Sequence, residues 1–135
     1  MARILLAEDE QQIGDMVTFK LTNSGHRVVR VGDGEAALAA AERDRPDVII
    51  LDVMMPLVDG FAVLGRLKAH PDLRTIPVIM LTARGQERDV LSGLQAGTLG
   101  CHVEILRWQR ASDAAGRVRA LIARRRTEAP GTTDG

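Results

Sequence analysis

Pro46-Asp-Val-Ile-Ile-Leu-Asp-Val-Met-Met-Pro-Leu-Val-Asp-Gly60 is the stretch that decides the fold. Its core, Asp47-Val-Ile-Ile-Leu-Asp52, is apolar at every position between two acids. Side chains of a strand alternate between the two faces of a sheet, so a strand without a polar position is buried on both. That is the habit of parallel sheets covered by helices on each side. The strand leaves the sheet on a carboxylate, Asp52, and a loop bearing Pro56 and Gly60 follows.

The same grammar repeats outward from it. Arg3-Ile-Leu-Leu-Ala7 and Ile76-Pro-Val-Ile-Met-Leu-Thr82 are further apolar runs, and Arg27-Val-Val-Arg-Val31 is β-branched and brief. Between them apolar residues recur at helical spacing. Ile13, Met16, Val17 and Leu21 mark a helix over 10–24, stopped by Asn23-Ser24-Gly25. Gly34 to Asp44 is Ala-rich and closed by Pro46; a third helix runs from about Asp59 to His70, and a fourth from about Gln86 to Ala96. Strands alternating with helices of this length predict an α/β domain with a parallel sheet. After residue 97 the pattern weakens. Cys101 to Leu106 reads as a fifth strand and Ala111 to Arg126 as a fifth helix, with Ala115, Val118, Leu121 and Ile122 inward. Residues 1–126 form the expected domain, and 127–135 read as a disordered, linker-like tail.

Composition narrows the function classes. The 135 residues carry 45% hydrophobic and 27% charged side chains, a balance typical of one folded domain. Phe19, Phe61 and Trp108 are the only aromatics, which leaves no platform for stacking nucleic-acid bases. Cys101 is alone, so no intrachain disulfide forms. No run is long enough to span a membrane and no signal pattern opens the chain, so the expectation is a cytoplasmic protein without membrane contact. Residues 1–60 hold 11 acids against 6 bases, and 61–135 hold 7 against 12. The basic excess includes Arg124-Arg-Arg126, better read as favourable charge at a helix C-terminus than as a nucleic-acid contact.

In open α/β sheets, ligands bind beyond the carboxyl ends of the strands. There stand Glu8-Asp9-Glu10 after the first strand, Asp52 after the third and Thr82-Ala83 at the fourth. Converging carboxylates repel one another unless a cation sits among them, and a set of hard oxygens that leaves room for water suits Mg²⁺. A carboxylate beside Mg²⁺ is also a nucleophile toward a phosphoryl group, to which Thr82 could donate. Gly32-Asp-Gly-Glu-Ala-Ala37 fits a dinucleotide fingerprint, but it follows the second strand, and Glu-Asp-Glu occupies the turn that a pyrophosphate would need. A tight turn into a helix is the better reading.

Taken together, the chain resembles the receiver domain of two-component response regulators. Ile4-Leu-Leu-Ala-Glu-Asp-Glu10, Gly32-Asp-Gly-Glu-Ala-Ala-Leu38, the stretch 46–60, Pro77-Val-Ile-Met-Leu-Thr-Ala83 and Gly93-Leu-Gln-Ala-Gly97 carry the resemblance. It implies a flavodoxin-like (βα)5 fold with strand order 2-1-3-4-5. It also implies a phosphoacceptor rather than an enzyme acting on a separate substrate: Asp52 takes a phosphoryl group from a sensor histidine kinase. Mg²⁺ would be held by Asp9, Asp52 and the backbone carbonyl of Met54, with Glu8 reaching it through water. Thr82 and the backbone of Ala83 would meet the phosphoryl group. Output would pass to a further domain, a partner or a second copy through the fourth-helix and fifth-strand face. The alternative is a degenerate receiver, an interaction module independent of phosphorylation.

The resemblance breaks after Gly97. The family reads close to Asp-Asp-Tyr-x-x-Lys-Pro-Phe there, whereas this chain has Leu99-Gly-Cys-His-Val-Glu-Ile-Leu106. Counting from Gly97 puts Glu104 at the place of the phosphoryl-pairing Lys, Ile105 at the cis-proline and Cys101 at the aromatic switch residue. Glu104 would then add repulsion to the Glu8, Asp9 and Asp52 pocket. If the strand pairs differently, it faces outward and leaves the pocket short of a cation. The family's final-helix string returns at Arg117-Val-Arg-Ala-Leu-Ile122, about three residues late. A shifted reading frame over residues 98–114 would leave this pattern, and sequencing the encoding DNA tests for the two compensating shifts.

Overall fold

Val48–Asp52 and Val78–Thr82 are buried at all five positions each, as their unbroken apolar sequences require. The computed structural model describes residues 2–55, 60–82 and 103–133, the side chains of 108 and 125–133 apart. Along the chain lie β1 (Arg3–Ala7), α1 (Gln11–Asn23), β2 (Arg27–Val31), α2 (Gly34–Asp44), β3 (Val48–Asp52) and α3 (Gly60–Ala69). They are followed by β4 (Val78–Thr82), β5 (Val103–Arg107), a 3-10 turn (Trp108–Asp113) and the C-terminal helix (Ala114–Thr133). Every strand pair is parallel and the order is β2-β1-β3-β4-β5. This is the flavodoxin-like arrangement. The helix expected over 86–96, Asp59, Ala83 and Cys101 lie outside the described residues.

Alternation along the strands builds two cores. Leu5, Ala7, Ile49, Leu51, Val78 and Met80 pack on α2 and α3 through Ala37, Ala40, Val63 and Leu67. Ile4, Leu6, Val48, Ile50, Ile79, Leu81 and Leu106 pack on α1 and the C-terminal helix through Val17, Leu21, Val118 and Leu121. Nearly all are fully buried, and each large side chain removed from water contributes roughly 1.5–3 kcal/mol.

Local chemistry sets the helix ends. Glu10 caps α1, its carboxylate accepting from the N–H groups of Gln12 and Ile13 at 3.0 and 3.3 Å. Asp33 caps α2, accepting from Ala36 N at 2.8 Å, so Gly32-Asp-Gly is a turn into a helix. Lys68 is buried at the end of α3, where its ammonium donates to the carbonyls of Arg74 and Ile76 at 3.0 and 3.1 Å and secures the turn into β4.

The C-terminal third departs most from expectation. The fifth strand extends to Arg107, and six residues of 3-10 turn precede the α-helix expected from Ala111. That helix runs to Thr133, past Arg126 and through residues expected to be a disordered tail. The apolar spacing ends at Ile122, and Arg124-Arg-Arg126, Glu128 and Ala129 favour helix by propensity whereas Pro130 and Gly131 oppose it, so no clear signal for this extension stood in the sequence.

Candidate functional site

Sheet order alone makes neighbours of the residues that follow β1, β3 and β4. Ala7 pairs with Leu51, and Asp52 pairs with Leu81, so Glu8, Asp52 and Thr82 stand at the carboxyl ends of three adjacent strands. One carboxylate oxygen from each of Glu8, Asp9 and Asp52 falls within 4.8 Å of the others. Glu8 and Asp52 are almost wholly buried, at 2% and 1% exposure, while Asp9 is open to solvent.

Backbone donors hold the set in place. Glu10 N donates to Glu8 Oε2 at 2.9 Å and Met54 N to Asp52 Oδ1 at 3.0 Å. The second oxygen of Glu8, Oε1, is buried and meets no donor among the described residues. Burial pushes the Glu8 carboxyl up to about 8 from an ordinary 4.5. A hydrogen bond to Asp52 and the negative charges of Asp52 and Asp9 act the same way, against the Glu10 N–H. Two ionised carboxylates cannot hydrogen-bond, so the buried Glu8–Asp52 pair favours holding a proton between them. The proton offsets charge that a cation would otherwise offset.

Two further features shape the site. Gly60 opens α3 against the end of β3: a Cβ there would lie 2.4 Å from the Asp52 carbonyl oxygen and 2.8 Å from Val53 Cα. Only glycine permits that approach. Thr82 is fully buried, and its Oγ1 has no hydrogen-bond partner among the described residues. Beside the acids a cavity of about 350 Å³, bordered by Gln11, Arg30 and Gly32, leaves room for water. Arg30 is committed to α1, its guanidinium lying over Gly14, paired with Asp15 at 2.6 Å and bonded to the Gln11 carbonyl.

Four expected residues therefore converge: Glu8, Asp9, Asp52 and Thr82. Met54 follows two residues after Asp52, its side chain largely exposed. Glu104 does not join them. It pairs with Ile79 of β4 and ion-pairs with Arg117 of the C-terminal helix. The residue that the register sets opposite Thr82 is Arg107. The count from Gly97 missed it because it assumed the family's loop length. Counting back from Arg117-Val-Arg-Ala-Leu-Ile122, itself about three residues late, lands on Arg107.

The response regulator receiver domain model matches residues 4–102. The chain belongs to the response regulator receiver domain family. The transcriptional regulatory protein AfsQ1 of Streptomyces coelicolor is 42% identical over 97 residues, which cover 72% of this receiver domain and 42% of AfsQ1. PhoP, the alkaline phosphatase synthesis regulator of Bacillus subtilis, is 35% identical over 128 residues, 95% of this chain and 51% of PhoP. The receiver domain thus spans about half the length of these relatives or less. Among solved structures, the receiver domain of sensor histidine kinase PA1611 from Pseudomonas aeruginosa superposes with a TM-score of 0.76 at 30% identity, covering 90% of this chain and 98% of that one. That structure has a magnesium ion coordinated in its active site cleft.

Proposed function

We propose that this receiver domain is a phosphoacceptor: Asp52 takes a phosphoryl group from a sensor histidine kinase and passes its state to an output domain or partner. The observation that carries the reading is the convergence of Glu8, Asp9 and Asp52 within 4.8 Å, at the same sheet edge as Thr82, whose buried hydroxyl has no partner among the described residues. One backbone N–H each for Glu8 and Asp52 does not offset the cost of burying two carboxylates side by side, and a cation among them would.

The donor set fits Mg²⁺: all ligands are hard oxygens, one Glu8 oxygen meets no donor among the described residues, and the adjoining cavity admits water. Asp9, Asp52 and the Met54 carbonyl would hold the ion, with Glu8 acting through water. The ion, when bound, neutralises the oxygens of the incoming phosphoryl group. An Asp52 carboxylate oxygen forms the new O–P bond as the N–P bond of the kinase phosphohistidine breaks, the electron pair returning to the imidazole nitrogen. Thr82 donates its hydroxyl hydrogen to a phosphoryl oxygen, and the Ala83 backbone serves the same group. The charge at that end of β5 is the positive one of Arg107, not the negative one of Glu104. Localisation in the cytoplasm follows from the kinase partner in this reading.

The test is a mass spectrum after incubation with Mg²⁺ and acetyl phosphate. The wild-type chain gains one phosphoryl group and Asp52→Asn gains none; a label persisting on Asp52→Asn refutes the assignment. Asp9→Asn removes a metal ligand, so Mg²⁺ titration should lose its saturable phase; an unchanged titration refutes the ligand set. The departure of residues 98–114 favours a second reading, an interaction module independent of phosphorylation. A wild-type chain that takes no phosphoryl group selects it.

A further inference from the structure

Arg30 is the one cation among the described residues that line the cavity beside the acid cluster, and it shares that cavity with Glu8 and Asp9. It stands on β2 opposite Leu6, which precedes Glu8 by two residues on the neighbouring strand. Carboxylates match the paired donors of a guanidinium, so two acids bordering the same space would be its natural partners. Its hydrogen bonds run instead to the start of α1. Nη1 donates to Asp15 Oδ1 at 2.6 Å, and Nη2 donates to the Gln11 carbonyl at 3.2 Å. Gln11 Nε2 donates to the same Asp15 carboxylate at 3.3 Å, which orients it toward Arg30.

Gly14 completes the berth. The guanidinium lies over it, and a Cβ at that position would stand 2.5 Å from Arg30 Cζ. Glycine weakens a helix by its backbone entropy, so its place in α1 goes with the room it leaves for the arginine. Gln11, Gly14 and Asp15 thus hold a cation at the border of an acidic site. A guanidinium and a metal ion that need the same carboxylate oxygens exclude each other. We infer that Asp15 is a positioning residue for the metal site: it holds Arg30 against Gly14 and so leaves Asp9 to a divalent cation. The inference rests on the reading of the acid cluster as a Mg²⁺ site. The cavity of about 350 Å³ gives a long side chain room to turn. Released from Asp15, the guanidinium takes Asp9, the solvent-exposed carboxylate of the set, and competes with the ion there.

Calorimetric titration of the full chain with Mg²⁺ tests this. Two variants empty the berth in different ways: Asp15→Ala removes the acceptor, and Gly14→Ala fills the space without changing any charge. Each should raise the Mg²⁺ dissociation constant about fivefold, the result when the guanidinium occupies Asp9 in roughly four molecules of five. Arg30→Gln added to either variant should restore the wild-type affinity, a rescue that neither a purely structural role for Asp15 nor the loss of its charge would permit. In the metal-free chain, nuclear Overhauser contacts between the Arg30 δ-protons and the Asp9 β-protons should be absent from wild type and present in both variants. A saturable wild-type phase that the variants leave unchanged overturns this inference alone. Weakening that persists with Arg30→Gln, or variants without the Arg30–Asp9 contact, overturns it too. No saturable phase in wild type overturns the Mg²⁺ reading together with it.

Discussion

Glu8 is the residue whose environment is most at odds with its chemistry. In the folded, metal-free chain it keeps its proton up to about pH 8, and in the unfolded chain it loses it near 4.5. Between those values the folded state binds more protons, so stability falls as pH rises through the window and levels off above it. Chemical denaturation in a chelator from pH 5 to 8.5 should show this decline, and Glu8→Gln should flatten it. Mg²⁺ favours the ionised cluster and should oppose the slope, most strongly at the alkaline end. Identical pH profiles for wild type and Glu8→Gln would contradict this account. The acids themselves were legible in the sequence, since strand-end position follows from periodicity. The protonation was not, because it depends on how closely Asp52 approaches across two strands.

At the scale of elements, contacts at the helix ends decide what the strands present. Gly60→Ala would press a methyl group into the Asp52 carbonyl and Val53 Cα. Overpacking of this kind costs about 1–3 kcal/mol, and relief by shifting α3 also moves the chain that follows Asp52. Urea denaturation should register the loss, and Mg²⁺ affinity should fall with it; a variant as stable and as tight as wild type would show that α3 yields freely. Lys68→Met removes a buried ammonium that two carbonyls accept from, leaving Arg74 and Ile76 unserved at about 1–3 kcal/mol. The helices and strands through residue 82 were readable because apolar spacing and caps agree there. Between Val103 and Thr133 they did not agree: a forward count placed Glu104 at the strand end, while the register gives that place to Arg107. An inserted length is invisible to counting from one side and plain when the count is made from both.

Over the whole molecule, signalling requires that a phosphoryl group at Asp52 bias two states through contacts that differ between them. Thr82 offers one such contact. Glu104 is engaged with Arg117, which ties β5 to the C-terminal helix. Hydrogen exchange with and without a beryllofluoride mimic should therefore show protection changes at the strand ends after β1, β3 and β4, with little change over 103–107. Strong protection of β5 would show the coupling intact. The sheet order was implied by family resemblance, whereas the attachment of β5 needed the pairing itself. That order also sets a schedule for synthesis. Within the domain β1 is made before its neighbours, yet it lies inside the sheet, between β2 (Arg27–Val31) and β3 (Val48–Asp52). The nascent domain thus carries β1 without either partner until β3 has been made, and the centre of the sheet closes only through pairings distant in sequence.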